Sequence, residues 1–203
     1  MGALVLASAS PQRRAILTAL GVGHRVVVAD IEETIDGDPI AVAVENARRK
    51  ALAVAATVPA GTLVLGADTV IVDDLGPGAA RAVGKPADPG QAAAMLRRWS
   101  GAEHRVASAA AVVRAAPAGP REEPGDHELL LSEADTTLVR FRRLADAEID
   151  WYVATGEWRG RAGGYAIQER GALLIAGIDG DWWTVVGLPV ALLAARIPEL
   201  LRG

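Results

Sequence analysis

Residues 4–14 read LVLASASPQRR, an apolar run that stops at two serines and a proline and continues into a helix-like segment. Ser10 is a favourable N-cap and Pro11 suits the first position of a helix, so the stretch predicts a strand leading directly into a helix. Arg13 and Arg14 then fall in a first turn whose exposed N–H groups already carry partial positive charge. A bound anion would resolve that conflict. The alternative is a solvated arginine pair behind an ordinary cap.

The composition of the 203-residue chain indicates a globular protein with a sizeable core, because 51% of its residues are hydrophobic. No apolar run reaches the ~20 residues that a membrane-spanning helix needs. A signal peptide would have a basic segment before its apolar run, and no such segment precedes the first apolar run here. The absence of cysteine excludes disulfides and cysteine chemistry. We therefore expect a single domain over residues 1–203 that is cytoplasmic and has no membrane partner.

The charge of the chain argues against a nucleic-acid partner. The formal net charge is -4, whereas a broad nucleic-acid-binding surface requires a basic field. The basic residues are grouped locally instead, and most of these groups are expected to be solvated surface.

The pattern of apolar and turn-forming residues predicts an α/β fold with a mixed sheet, because strands and helices are mingled without strict alternation. A Pro/Gly-rich, charged stretch at 115–127 is expected to be a mobile loop without a catalytic role. The expected strands lie at 3–7, 24–29, 62–73, 105–114, 128–141 and 172–178, and the expected helices at 11–20, 40–57, 88–99, 145–155 and 188–201.

Asp68 is out of place in its surroundings, since it interrupts the apolar run LVLGADTVIV at 63–72. A carboxylate in such a run is costly unless it is paired or binds a metal. It is interpreted as a metal ligand or a general base at the end of a strand, where α/β proteins tend to bind ligands. The alternative is an edge-strand position that faces water.

Two lysines and an acidic pair add to this pattern. Lys50 shares the apolar face of its helix, so it either extends to solvent or is held there for an anion. Lys85, between Gly84 and Pro86, reads on its own as an exposed loop lysine. Glu32 and Glu33 follow a strand and could bind a hard divalent cation, or they belong to a solvated acidic loop.

Together these features describe a polyphosphate site. Ser8, Ser10 and Arg13 would bind phosphoryl oxygens, Lys50 and Lys85 would neutralise further charge, and Glu33 with Asp68 would hold a divalent cation. The three histidines show no metal-ligand spacing, and the chain carries none of the motifs of P-loop, α/β-hydrolase or zincin enzymes.

The sequence resembles the Maf family of nucleoside triphosphate pyrophosphatases, also known as septum formation inhibitor proteins. The matching motifs follow one another along nearly the whole chain. They are Leu6-Ala7-Ser8-Ala9-Ser10-Pro11 with Arg13, Asp30 to Thr34, Lys50-Ala51, Gly66-Ala67-Asp68-Thr69, Gly84-Lys85-Pro86, Ser100-Gly101, Glu148-Ile149, Tyr152-Val153 with Thr155-Gly156-Glu157, Ala162-Gly163 with Tyr165-Ala166-Ile167-Gln168, and Val185-Val186-Gly187-Leu188-Pro189.

The resemblance implies an α/β fold shared with the inosine triphosphate pyrophosphatases, with two lobes around a central cleft, and a homodimer. It implies cleavage of a nucleoside triphosphate to the monophosphate and pyrophosphate with Mg²⁺ or Mn²⁺. The motif around Gln168 is similar to the dTTP/UTP branch rather than the 7-methyl-GTP branch. By this resemblance Asp68 is the proton acceptor, while Gln12, Thr69 and Gln168 set the choice of base.

Two departures from the family pattern bear on the substrate. The dTTP/UTP branch usually has arginine where this chain has Gln12, and an amide lacks the charge and fork of a guanidinium. Small polar residues, with Asn at position 184, are usual where this chain has Trp182-Trp183-Thr184. A nucleotide sensor without turnover and a cell-division regulator are the alternative functions.

Overall fold

A computed structural model describes residues 4–76, 80–117 and 126–202. Within these residues the strands are β1 (Leu4–Ala7), β2 (His24–Val26), β3 (Leu63–Asp73), β4 (Arg81–Val83), β5 (Glu103–Arg114), β6 (Glu128–Phe141) and β7 (Ile175–Asp179). The helices are α1 (Pro11–Ala19), α2 (Pro39–Ala55), α3 (Pro89–Trp99), α4 (Asp146–Thr155), α5 (Trp182–Val186), α6 (Val190–Arg196) and α7 (Pro198–Arg202). Short 3₁₀ turns occupy Ala162–Gly164 and Arg170–Leu174.

The seven strands form one mixed sheet in the order β2-β1-β3-β5-β6-β7, with β4 paired to β3. Strand β1 runs parallel to both of its neighbours, and Leu6 is level with Val26 on β2 and Leu65 on β3. The β3–β4 and β6–β7 pairs are antiparallel. The predicted α/β class with a mixed sheet is therefore confirmed.

The first three helices begin in the same way, with a polar N-cap followed by proline. The side chains of Ser10, Asp38 and Asp88 each accept a hydrogen bond from a backbone N–H of the first turn. Proline at the first helical position loses nothing, because its missing N–H would have no partner within the helix. These starts agree with the sequence prediction to within one residue.

The chain divides into two compact units. The first comprises Met1–Thr69, Ser108–Asp135 and Gly187–Gly203. All four residues of β1 are buried, and α1 contributes Ile16 and Leu17 to the core around it. Helix α2 presents mainly small side chains, which let it pack closely; its buried apolar residues are Pro39, Ala43, Ala47, Ala51, Val54 and Ala55.

The second unit comprises Val70–Ala107 and Thr136–Val186 and has a more aromatic core. The fully buried ring of Trp99 packs against His104 with ring centroids 4.5 Å apart, and Trp99 Nε1 donates to the carbonyl of Gly163. His104 Nε2 lies 2.9 Å from the hydroxyl of Tyr165, whose ring stands edge-on to that of Phe141.

Several elements differ from the sequence prediction. The second strand ends at Val26 rather than at 29, because β1, its pairing partner, ends at Ala7. The helix expected over 188–201 is two short helices, since Pro198 has no N–H to continue the ladder. Strand β4 and helix α5 were not expected. Of the predicted loop at 115–127, residues 118–125 lie outside the described residues.

Among the residues that the structure describes, no helix is both long enough and apolar enough to cross a membrane.

Candidate active site

The end of β1 and the start of α1 form a compact hydrogen-bonded turn. Ser8 is buried, and its hydroxyl accepts from the backbone N–H of Ser10 at 3.2 Å. The Ser10 hydroxyl caps α1 by accepting from the N–H of Arg13 at 3.5 Å, and it donates to Oε1 of Gln12 at 3.0 Å. The hydrogen bond from Ser10 therefore holds the Gln12 amide in place through its oxygen. The turn also places the hydroxyls of Ser8 and Ser10 beside the N–H groups at the start of α1.

Arg13 is a buried guanidinium, only 8% exposed. Its three nitrogens donate to neutral oxygens: Nη1 to Ser8 Oγ at 2.9 Å, Nη2 to Thr69 Oγ1 at 3.0 Å and Nε to the Gly187 carbonyl at 2.9 Å. The alternative of a solvated arginine therefore does not apply to Arg13, whereas its neighbour Arg14 is exposed.

The electrostatics of Arg13 favour an anion nearby. Burial lowers the pKa of Arg13 from its usual value, while the charges of Asp68 and Glu33 act in the opposite direction. These carboxylates act on the guanidinium through space, because its hydrogen bonds go to neutral groups. A guanidinium satisfied by neutral acceptors keeps its positive charge available to a bound phosphate.

Helix α2 and strand β3 bring a lysine between two carboxylates. Lys50 Nζ lies 2.9 Å from Asp68 Oδ1 and 2.6 Å from Glu33 Oε1. The Lys50 side chain is 10% exposed and that of Asp68 is 18%, whereas Glu33 is 52% exposed. Lys50 therefore does not extend to solvent, and its charge stabilises both carboxylates.

Asp68 does not lie on an edge strand, so that alternative does not apply. Strand β3 lies between β1 and β5 in the sheet. Because β1 and β3 are parallel, with Ala7 level with Gly66, the residues after β1 and the segment holding Asp68 lie toward the same end of the two strands. The Thr69 hydroxyl, which accepts from Arg13, also forms a hydrogen bond with the hydroxyl of Ser108, with 2.9 Å between the two oxygens.

Gly66 explains why α2 can approach β3 so closely. A Cβ atom at this position would lie 2.1 Å from the carbonyl oxygen of Ala47 and 2.8 Å from the backbone nitrogen of Ala51. Both neighbours are backbone atoms of α2 and flank Lys50. Because Gly66 has no side chain, α2 can lie close enough to β3 for the Lys50 ammonium to contact Asp68.

Asn46 was missed by the sequence analysis. It is 2% exposed, lies one helical turn before Lys50, and its amide contacts both Thr34 and Asp68. A signal was available, because it is the only asparagine in the chain and it stands on the apolar face of a helix rich in Ala and Val. Asparagine is a poor helix former, so an interior position calls for a reason.

Lys85 and Gln168 belong to the second unit, and both are exposed there. Lys85 follows β4, and Gln168 lies between the two 3₁₀ turns. Their predicted roles, in phosphate charge neutralisation and in the choice of base, stay predictions. In the same unit α5 begins at Trp182, which is 38% exposed, and its Thr184 is fully buried.

Glu33 and Asp68 are the carboxylates that the sequence predicts to bind a divalent cation. Within the described residues, no three Asp, Glu, His or Cys side chains gather into a metal-binding group. Mg²⁺ commonly takes only one or two protein carboxylates and completes its shell with substrate phosphates and water. The donor set fits a cation that arrives with a polyphosphate better than a cation fully enclosed by protein.

The fold and the site together define a mixed α/β protein whose first helix begins beside a buried guanidinium and a lysine–carboxylate cluster. The chain belongs to the Maf-like protein family, whose model matches residues 3–200.

Three relatives are similar to this chain over nearly its whole length, and each is named dTTP/UTP pyrophosphatase. The protein of Symbiobacterium thermophilum is 44% identical over 94% of this chain and 90% of its own length. That of Moorella thermoacetica is 45% identical over 99% and 94%. That of Pelotomaculum thermopropionicum is 43% identical over 98% and 97%.

Among solved structures, a HAM1 protein from Coxiella burnetii is similar with a TM-score of 0.41 and 17% identity, over 71% of this chain and 75% of that one. The fold class rests on the strands and helices of the chain itself.

Proposed function

We propose that the chain is a nucleoside triphosphate pyrophosphatase that hydrolyses dTTP or UTP to the monophosphate and pyrophosphate. The observation that carries this proposal is the Lys50 ammonium held between Glu33 and Asp68, in the same unit as the buried guanidinium of Arg13. The three relatives with this activity in their names support the reaction and the pyrimidine substrates.

The start of α1 supplies the groups that bind the triphosphate. Ser8 and Ser10 offer hydroxyls, the helix N-terminus offers N–H groups, and Arg13 contributes a fixed positive charge. Because Ser8, Thr69 and Gly187 already hold the guanidinium in place, little conformational entropy is lost when the substrate binds. Lys85 stays the predicted source of further positive charge for the phosphates.

Asp68 acts as the general base in this proposal. It accepts a proton from the water that attacks the α-phosphorus, the bond from that phosphorus to the bridging oxygen of the β-phosphate breaks, and pyrophosphate leaves with the electron pair. Lys50 keeps the carboxylate oriented through Oδ1. Such catalysis is mostly positioning and charge stabilisation.

Glu33 and Asp68 would hold Mg²⁺ or Mn²⁺ when the nucleotide is bound. The cation would supply Lewis-acid stabilisation of the charge that develops on the leaving pyrophosphate. Gln12, Thr69 and Gln168 would contact the base, and the neutral amide at position 12 would read it by hydrogen bonding rather than by charge.

The first experiment measures pyrophosphate and orthophosphate release from a panel of standard and modified nucleoside triphosphates, with and without Mg²⁺. Asp68→Asn is the test variant. Asp73→Asn is the matched control, since it makes the same change on the same strand in another carboxylate that is paired to a cation, Arg98.

Pyrophosphate from dTTP or UTP, lost in Asp68→Asn and kept in Asp73→Asn, is the expected result. Orthophosphate alone would contradict cleavage between the α- and β-phosphates. Nucleotide binding without release of either product would favour a sensor. Release from purine nucleotides alone would move the substrate but keep the reaction. Light scattering during size exclusion tests the proposed homodimer.

A further inference from the structure

Asn46 is a buried polar side chain that the proposed reaction does not yet use. It lies in the interior of α2 and is 2% exposed. A buried amide without hydrogen-bond partners destabilises the folded chain, because nothing replaces the water it loses on burial. A buried asparagine in a helix is therefore informative about what its amide binds.

The Asn46 amide contacts the backbone of Thr34 at two points. Its Oδ1 accepts from the Thr34 N–H at 2.9 Å, and its Nδ2 donates to the Thr34 carbonyl at 2.9 Å. Nδ2 also lies 3.4 Å from Asp68 Oδ2, a long contact. All three partners require the same orientation of the amide, so the assignment of its oxygen and nitrogen is fixed by the network.

Thr34 belongs to a segment that has no helix or strand, since residues 27–35 carry no regular structure. Asn46 provides backbone partners for this segment in place of a neighbouring strand. Glu33, the residue before Thr34, reaches Lys50 from there. Holding the backbone of Thr34 therefore determines where the Glu33 carboxylate can lie.

Asn46 and Lys50 act from the same face of α2, four residues apart. Lys50 holds Oδ1 of Asp68, and Asn46 lies against Oδ2. The two carboxylates are thus tied to one helix by one charged and one neutral side chain. The amide adds no charge, so it can orient a carboxylate without neutralising it.

We propose that Asn46 is a positioning residue for the reaction. It fixes the segment that carries Glu33 and orients the carboxylate of Asp68, so that both stand ready around Lys50. This role rests on the proposed function, because it matters only if Glu33 and Asp68 take part in the chemistry.

Two variants separate positioning from simple space filling. Asn46→Leu has a similar volume but removes all three contacts. Asn46→Asp keeps the shape and the acceptor for the Thr34 N–H, but it places a negative oxygen against the Thr34 carbonyl and Asp68. Arg48→Ala is the control on the same helix, since it breaks only a partly exposed pair with Glu45.

The expected result is a fall in kcat of about 10–100-fold for pyrophosphate release in both Asn46 variants, the range typical of residues that orient metal or catalytic ligands. The KM for the nucleotide should change little, because Ser8, Ser10 and Arg13 are untouched. Arg48→Ala should keep the wild-type kcat and KM.

Hydrogen exchange gives a second readout that does not depend on turnover. In the wild-type chain the amide of Thr34, which donates to Asn46 Oδ1, should be protected from exchange although it lies in an irregular segment. Asn46→Leu should remove this protection, and Arg48→Ala should leave it in place.

Wild-type kcat in folded Asn46→Leu and Asn46→Asp would overturn the positioning role. An unprotected Thr34 amide in the wild-type chain would overturn it as well, even if neither variant folds. Failure of the wild-type chain to release pyrophosphate from any nucleotide is a separate outcome that overturns the proposed function itself.

Discussion

The ammonium of Lys50 lies 2.9 Å from Oδ1 of Asp68, although the two residues are on a helix and a strand. The same ammonium contacts Glu33, so one positive charge serves two negative ones. Removing any member of this cluster changes the environment of the other two, and their effects on activity and stability should not be independent.

A double-mutant cycle tests that coupling. Lys50→Met removes the charge that offsets the repulsion between Glu33 and Asp68, so activity should fall about 10²-fold or more. The free energy of unfolding should fall by about 1–3 kcal/mol, less than for a fully buried pair because Glu33 is half exposed. Adding Asp68→Asn to Lys50→Met should cost far less activity than Asp68→Asn alone. Strictly multiplicative losses would contradict the coupling.

The close approach at Gly66 predicts a specific glycine effect. Gly66→Ala places a methyl group against the backbone of Ala47 and Ala51, which cannot move aside as a flexible side chain could. We expect a loss of about 3 kcal/mol or more in urea unfolding, together with lost activity as Lys50 shifts away from Asp68.

Gly23→Ala is the matched control for Gly66→Ala, because a Cβ there would meet no atom within 4 Å. It should be neutral or stabilise by about 0.4–1 kcal/mol, since alanine restricts the unfolded chain. Equal effects of the two substitutions would show that the contact with α2 is not what requires glycine at position 66.

Arg13 and Arg14 are adjacent arginines, but a substitution by lysine should be tolerated only at Arg14. A single ammonium cannot donate to Ser8, Thr69 and Gly187 in the directions that the guanidinium serves. Arg13→Lys should therefore lower kcat/KM for the nucleotide about 10²-fold. Arg14→Lys, at an exposed position, should have little effect. Similar values for the two variants would place the important charge elsewhere.

The buried ring of His104 predicts a loss of stability in acid. Burial lowers the pKa of His104 from 6.5 to about 4. Between these two values the unfolded chain binds the proton more readily than the folded chain does, so the free energy of unfolding falls as the pH decreases. The slope from this residue approaches about 1.4 kcal/mol per pH unit and flattens below pH 4.

Urea unfolding from pH 7.5 to 4 measures this slope, with His104→Gln as the comparison. The variant loses stability at every pH, but its curve should be flatter by the share that His104 contributes. A variant with the same pH dependence as the wild-type chain would assign the acid sensitivity to other groups.

Local signals explain what the sequence predicted correctly in the fold. Ser10, Asp38 and Asp88 precede proline and start helices at or next to the predicted residues, since capping depends only on neighbouring residues. Strand β4 was missed because its three residues depend on pairing with Ile71–Asp73 rather than on their own pattern. The end of β2 was misjudged for a related reason, since its length depends on where β1 stops.

The site was predictable in its charged members, because Lys50 and Asp68 conflict with their apolar surroundings. The contacts of Asn46 were not predictable, since they depend on which backbone the irregular segment at 27–35 presents to α2. Nor could the sequence indicate that Arg13 donates to the carbonyl of Gly187, because any residue carries such a carbonyl. Whether these residues perform the proposed chemistry stays a prediction.

The hydrogen bond from Arg13 to Gly187 joins positions 174 residues apart and so bears on the order of events during protein synthesis. A growing chain contains Ser8, Arg13 and Thr69 once its first 69 residues are joined, whereas the acceptor at Gly187 follows much later. Until that residue leaves the ribosome, the guanidinium can have at most its two hydroxyl partners, Ser8 and Thr69. Translation timing, rather than the local strand–helix start, therefore decides when Arg13 becomes fully anchored.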